Sequence, residues 1–218
     1  LTTGVGPELR VLGQPLLPWR VLSPGMEKAL ALSPEECPYL IPDPWLGWTI
    51  KPNGRQPAKQ FASNNLGLRS KPEPVAPERT PGVLRVLLIG DSFTHGDQLP
   101  YEETFGAVLQ EMLGPSAQVL NGGVPGFGTD QAFLRYEHDL GPTLAPDVVI
   151  LGIVREDIPR NVNLFRALLF HWTAIPWSKP RFVLDGTGLR LVNYPVVARE
   201  RVVDTRPSDN DLTIRRRR

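Results

Sequence analysis

Val83-Leu84-Arg85-Val86-Leu87-Leu88-Ile89-Gly90-Asp91-Ser92 is the stretch that decides the fold. Apolar residues run almost without a break from Val83 to Ile89. A half-exposed strand would instead alternate apolar and polar residues. A short continuous run closed by glycine reads as a strand covered on both faces, as in a parallel sheet. Downstream, Phe105, Val108, Leu109, Met112 and Leu113 recur at helical spacing, which predicts an amphipathic helix ended by Gly114-Pro115. A short strand follows at 117–120. A second helix, capped by Thr129 or Asp130, carries Phe133, Tyr136 and Leu140 on its apolar face and ends at Gly141-Pro142. Val148 to Leu151 then reads as a third buried strand.

Strand, helix, strand, helix, strand at this spacing implies two parallel crossovers. The expected class is α/β, a three-layer, doubly wound sheet of flavodoxin-like order. Three parallel strands make a thin sheet, because open α/β sheets commonly have about five. The outer edge of the last strand is therefore expected to be open and prone to self-association. Further on, residues 181–184 and 189–192 flank Asp185-Gly186-Thr187-Gly188, a hairpin signal.

Upstream of Val83 the character changes. Fourteen of the 24 prolines precede Gly82, so residues 1–82 read as an extended arm, with 71–82 as a linker and Gly47 to Ile50 as a strand-like piece. Residues 83–218 read as the α/β domain. The formal net charge of +1 gives no electrostatic case for nucleic acid or an acidic membrane surface. Arg215 to Arg218 read as a solvated tail. Cys37 is the single cysteine, so no intrachain disulfide can form. The apolar stretch from Val148 to Val154 falls far short of the ~20 residues of a spanning helix. The first residues show no basic-then-apolar signal pattern. With no cluster of ligand spacing, neither a metal nor another cofactor is expected.

Each of the three strands ends in a polar or glycine-rich turn: Gly90 to Gly96, Asn121 to Asp130, and Gly152 to Asn161. Ligands of open α/β sheets sit beyond the carboxyl ends of the strands, so these turns are expected to converge on one crevice. A serine directly after a buried strand is held rigidly with its hydroxyl presented to that crevice, as a nucleophile requires. Backbone N–H groups of such turns can stabilise a developing oxyanion.

Over residues 43–161 the chain resembles the SGNH/GDSL hydrolase superfamily. The resemblance rests on Leu46-Gly47-Trp48, Asn65-Leu66-Gly67-Leu68-Arg69, Ile89-Gly90-Asp91-Ser92-Phe93-Thr94, Leu120-Asn121-Gly122-Gly123-Val124-Pro125-Gly126, and Pro146-Asp147-Val148-Val149-Ile150 leading to Asp157-Ile158 and Asn161. It implies that Ser92 is the nucleophile and, through its N–H, one oxyanion donor. It implies that Gly126 is a second donor, and that Asp91, with Asn121 and Asp157 close to the site, is structural. The implied activity is an acyl or acetyl esterase, or an O-acetyl transferase, acting on a small acyl ester or an acetylated carbohydrate. By analogy, the setting would be extracytoplasmic or at the envelope of a bacterium.

Two departures accompany the resemblance. Glu156 stands where the family places an asparagine that donates to the oxyanion. The family's C-terminal Asp-x-x-His block is not in these residues, since none of His95, His138 and His171 lies three residues after an aspartate. His95 reads as a turn residue, His138 as solvent-facing on the second helix, and His171 as part of a partly buried segment. The alternative is a catalytically impaired relative that keeps the crevice as a carbohydrate- or ester-binding or interaction module.

Overall fold

The computed structural model describes residues 10–11, 14–15, 22–170 and 173–198. Near the N-terminus β1 (Arg10–Val11) pairs with β2 (Gln14–Pro15). The helix α1 (Pro24–Ala31) starts where Ser23 accepts a hydrogen bond from Met26 N, and Pro24 opens its first turn. It buries Met26 and Leu30. An antiparallel hairpin, β3 (Leu40–Asp43) and β4 (Gly47–Ile50), is followed by the short pair β5 (Arg55–Gln56) and β6 (Phe61–Ala62).

The quoted stretch becomes β7 (Leu84–Ile89), the middle strand of a three-stranded parallel sheet. After the one-turn α2 (Ser92–His95) and α3 (Phe105–Leu113), the chain returns as β8 (Ala117–Asn121), which pairs along one side of β7 from Leu84↔Ala117 to Leu88↔Asn121. Next, α4 (Thr129–Arg135) leads through a π turn at Tyr136–Leu140 into α5 (Gly141–Leu144). Then β9 (Val148–Leu151) pairs along the other side of β7 from Val86↔Val148 to Ile89↔Leu151. Two short helices, α6 (Asp157–Val162) and α7 (Arg166–Leu169), precede the hairpin of β10 (Arg181–Asp185) and β11 (Gly188–Val192). The chain is thus an α/β protein built on a parallel sheet, and no helix among the described residues is long and apolar enough to cross a membrane.

The proline-rich segment before the sheet is not peripheral. Met26, Tyr39, Trp48, Ile50 and Leu68 share one hydrophobic core with Leu87, Ile89, Val124 and Phe127. Trp48 is fully buried, and its Nε1–H donates to Pro125 O at 2.9 Å. Arg85 interrupts the apolar run of β7 because it is the clamp of this packing. Its guanidinium donates to Gln118 Oε1 and to the carbonyls of Pro77, Glu78 and Leu144. Residues 71–82 are mostly exposed and irregular, pinned by this clamp and by the Arg79–Asp147 pair.

Several expectations need correction. The segment before residue 82 contains a helix, α1, because the proline lies at the first helical position, where its missing N–H costs nothing. In α3 the inner face runs through Gly106, Leu109, Gln110 and Leu113, whereas Phe105, Val108 and Met112 are exposed. Gly106 draws that face inward, since a Cβ there would lie 2.8 Å from Leu88 Cδ1. Gln110 uses it to bond Ala117 O and Val119 N of β8. In α4 the buried positions include Gln131, Leu134 and Arg135, while Phe133 is exposed and rests edge-on against Phe182. Neither Thr129 nor Asp130 is the cap of α4: Gly128 is, with its N–H donating to Gln131 Oε1. Gly141-Pro142 does not end the helix, because the wider π turn removes the backbone bond that proline could not make. Finally, β9 is not buried. Its four residues are each 37–41% exposed, at the outer edge of the sheet as formed by the described residues.

Candidate functional site

Three turns meet at the carboxyl ends of the parallel strands, as the glycine-rich loops led one to expect. Gly122 N donates to Leu88 O, Val124 N to Gly90 O, and Gly152 N to Ile89 O. Thr94, the third residue of α2, wedges between Gly90 and Gly152, so that a Cβ on either glycine would collide with its hydroxyl. Gly123 lets the second turn lie directly on α2, since a Cβ there would be 2.5 Å from His95 N. Asn121 ties the same two turns together: its Nδ2 donates to Thr94 O at 2.8 Å and its Oδ1 accepts from Gly123 N at 3.0 Å.

Ser92 is the first residue of α2 and is partly exposed. Its hydroxyl has no hydrogen-bond partner among the described residues, and its N–H donates to no protein acceptor there. Asp91 caps the turn, its Oδ1 accepting from Phe93 N at 2.8 Å. Its other oxygen meets Arg160 Nη1 at 2.5 Å, and the same nitrogen reaches Asp157 Oδ1 at 3.0 Å and Phe127 O at 3.2 Å. Asp157 also accepts from Val154 N at 3.1 Å. Burial pushes the Asp157 carboxyl up, against the pull of this N–H and of Arg160, while Asp91 adds to the upward push. One arginine shared by two buried carboxylates therefore locks the first turn to the third.

Gly126 has φ +82°, a left-handed conformation that favours glycine. It is buried, and its N–H is engaged by no acceptor among the described residues. Above it lies Arg166, whose Nη1 donates to Gly126 O at 3.0 Å. A Cβ at Gly126 would sit 2.9 Å from the Arg166 Cζ. Arg166 forms no ion pair among the described residues and its Nε has no acceptor there. Burial lowers its pKa to about 10, helped by the like charge of Arg160 and opposed by Asp91 and Asp97. Glu156 occupies the N-cap position of α6, is exposed, and its side chain makes neither a capping hydrogen bond nor an ion pair among the described residues.

Neither of the two described histidines, His95 and His138, hydrogen-bonds the hydroxyl of Ser92 among the described residues. His95 closes the one-turn α2 and is fully buried: Nε2 lies 2.7 Å from Tyr39 Oη, and Nδ1 lies 2.6 Å from Asp97 Oδ1, off the line of a good hydrogen bond. Its ring packs edge-on against Phe61 and Tyr39. His138 is exposed and stacked on Tyr194. His171 and the Arg215 to Arg218 run lie outside the described residues.

Sequence reasoning singled out Ser92, Gly126, Glu156, Asp91, Asn121 and Asp157, and missed Arg160 and Arg166. Arg160 carried a usable signal, its i,i+3 spacing from Asp157 at the start of a helix. Arg166 carried none, because its place over Gly126 depends on the chain doubling back after α6. Compared with known proteins, the chain matches no family model and no curated protein.

Proposed function

We propose that this chain carries the nucleophile of a serine ester hydrolase of SGNH/GDSL type, an acyl or acetyl esterase or an O-acetyl transferase. The observation that carries this reading is the Ser92 hydroxyl, unpartnered among the described residues, on a turn locked by Asp91 and Arg160, with the Ser92 and Gly126 N–H groups both free of acceptors among those residues. In the proposed reaction Ser92 Oγ bonds to the ester carbonyl carbon and gives its proton to a base. The two N–H groups hold the oxyanion, and the alcohol leaves with a proton. Water or a sugar hydroxyl then takes the acyl group from Ser92.

The base belongs, on this reading, to an Asp-x-x-His segment beyond these residues. In a protein that joins this chain to such a segment, p-nitrophenyl acetate is turned over. Ser92→Ala lowers that rate by about 10⁴ to 10⁶ with an unchanged circular dichroism spectrum. Full activity of Ser92→Ala would remove the assignment. One observation favours a second reading, an impaired binding module: Glu156 presents an exposed carboxylate where the family has a donor. Absence of turnover in the joined protein, with retained ester binding, would select it.

A further inference from the structure

Away from Ser92, a cavity of about 310 Å³ opens between the β3–β4 turn, the end of α4 and the segment after β11. That size is at the small end of ligand pockets, about 300–1,000 Å³. Three rings form a ladder along its wall. Trp45 lies 5.0 Å from Tyr194, tilted by 47°, and Tyr194 stacks on His138 at 6.1 Å and 27°. Trp45 is half exposed, which leaves much of its indole surface uncovered. The wall is held in place by the backbone. Asp43 Oδ1 accepts from Trp45 N at 2.8 Å and from Leu46 N at 2.7 Å, and Val196 N donates to Pro44 O at 2.9 Å.

The polar lining is mixed. Asp43 and Asp139 supply carboxylate acceptors, and Asp139 is exposed with no ion-pair partner among the described residues. Arg135, 2% exposed, lines the same cavity. Its Nη1 and Nη2 donate to Gly122 O and Gly67 O, whereas its buried Nε–H has no acceptor among the described residues.

We propose that this cavity binds a neutral pyranose sugar ring. Such a ring has an apolar C–H face for the Trp45 indole and hydroxyl donors for Asp43 and Asp139. An organic cation would use the rings and the carboxylates but would meet the charge of Arg135. An anion would meet two carboxylates. From Thr129, beside the candidate site, to His138 the helix rises about 1.5 Å per residue. The cavity therefore lies on the order of 13 Å along the helix from that end, a separate subsite. The inference does not depend on the ester-hydrolase reading.

The test uses the chain itself, with methyl glucoside, methyl galactoside, methyl mannoside and methyl N-acetylglucosaminide as probes and choline as the cationic control. Saturation-transfer NMR is expected to show transfer to ring C–H protons of at least one glycoside. Tryptophan fluorescence is expected to give a Kd on the order of 1 mM. Trp45→Ala weakens binding by about 10-fold or more, Asp139→Asn weakens it without changing the fold, and Ser92→Ala leaves it unaltered. Both Trp45 and Asp139 are exposed enough for their variants to fold. Binding of none of the glycosides, binding that survives Trp45→Ala at full strength, or binding of choline alone would each overturn the proposal.

Discussion

At the scale of the residue, the arrangement turns on charges that sequence patterns do not locate. Asp91 was legible as a structural residue only through the family resemblance, and its capping of α2 came with the structure. Its partner was not legible, since Arg160 lies 69 positions away. Arg160→Met leaves the Asp91 and Asp157 carboxylates facing each other without their shared cation. Removing one member of a buried pair costs about 3–5 kcal/mol, so the urea midpoint should fall sharply, and a midpoint near that of the unaltered chain would show the bridge to be dispensable. Glu156 is a different case, exposed and unpaired among the described residues. If Ser92 chemistry proceeds as proposed, Glu156→Asn in the joined protein should raise kcat, up to the ~10²–10³ that one oxyanion donor contributes, with a smaller change in KM. A fall in kcat would mark Glu156 as a working acid. His95 adds a pH dependence. Burial lowers its pKa below the ordinary 6.5, opposed by Asp97. The folded chain therefore binds fewer protons than the unfolded one as pH drops below about 6.5, and stability falls with pH in that range. Urea midpoints measured from pH 8 to 5 should decline, and His95→Phe should flatten the decline.

At the scale of the element, the three parallel strands and the β10–β11 hairpin were read correctly in position and the helix faces were not. The β7 run and the β10–β11 hairpin follow from local pattern alone. The inner faces of α3 and α4 were displaced from the most apolar stripe by Gly106, which packs against Leu88, and by Gln110, Gln131 and Arg135, which answer backbone groups of neighbouring elements. A hydrogen-bonding demand of this kind has no periodic signature. The two sheet edges differ for the same reason. Gln110 and Arg69 N bond the outer side of β8, whereas β9 has no such cover among the described residues. At the turn after β8, Gly123→Ala forces a Cβ against the backbone of α2. It should lower the thermal midpoint by several degrees, about what 1–3 kcal/mol does, and an unchanged midpoint would mean the turn can move aside.

At the scale of the whole molecule, the open apolar edge of β9 has a consequence for the chain in solution. Val148 to Leu151 present partly exposed apolar side chains and backbone that is unpaired among the described residues, a template for another strand. Light scattering of the isolated chain should show concentration-dependent association, and Val149→Lys should suppress it. A monomer at every concentration would show that the edge is protected. By itself the sequence determined the α/β class, the three parallel strands, and the glycine-rich turns after them. Those follow from apolar run length and glycine placement, which act over a few residues. Only the tertiary structure decided that the proline-rich segment completes the core through Trp48 and Tyr39, that Arg160 and Arg166 crowd the turn beside Ser92, and that His95 is buried away from solvent. Each of these depends on bringing together residues dozens of positions apart, where packing and the pairing of buried charges, not local propensity, choose the neighbour.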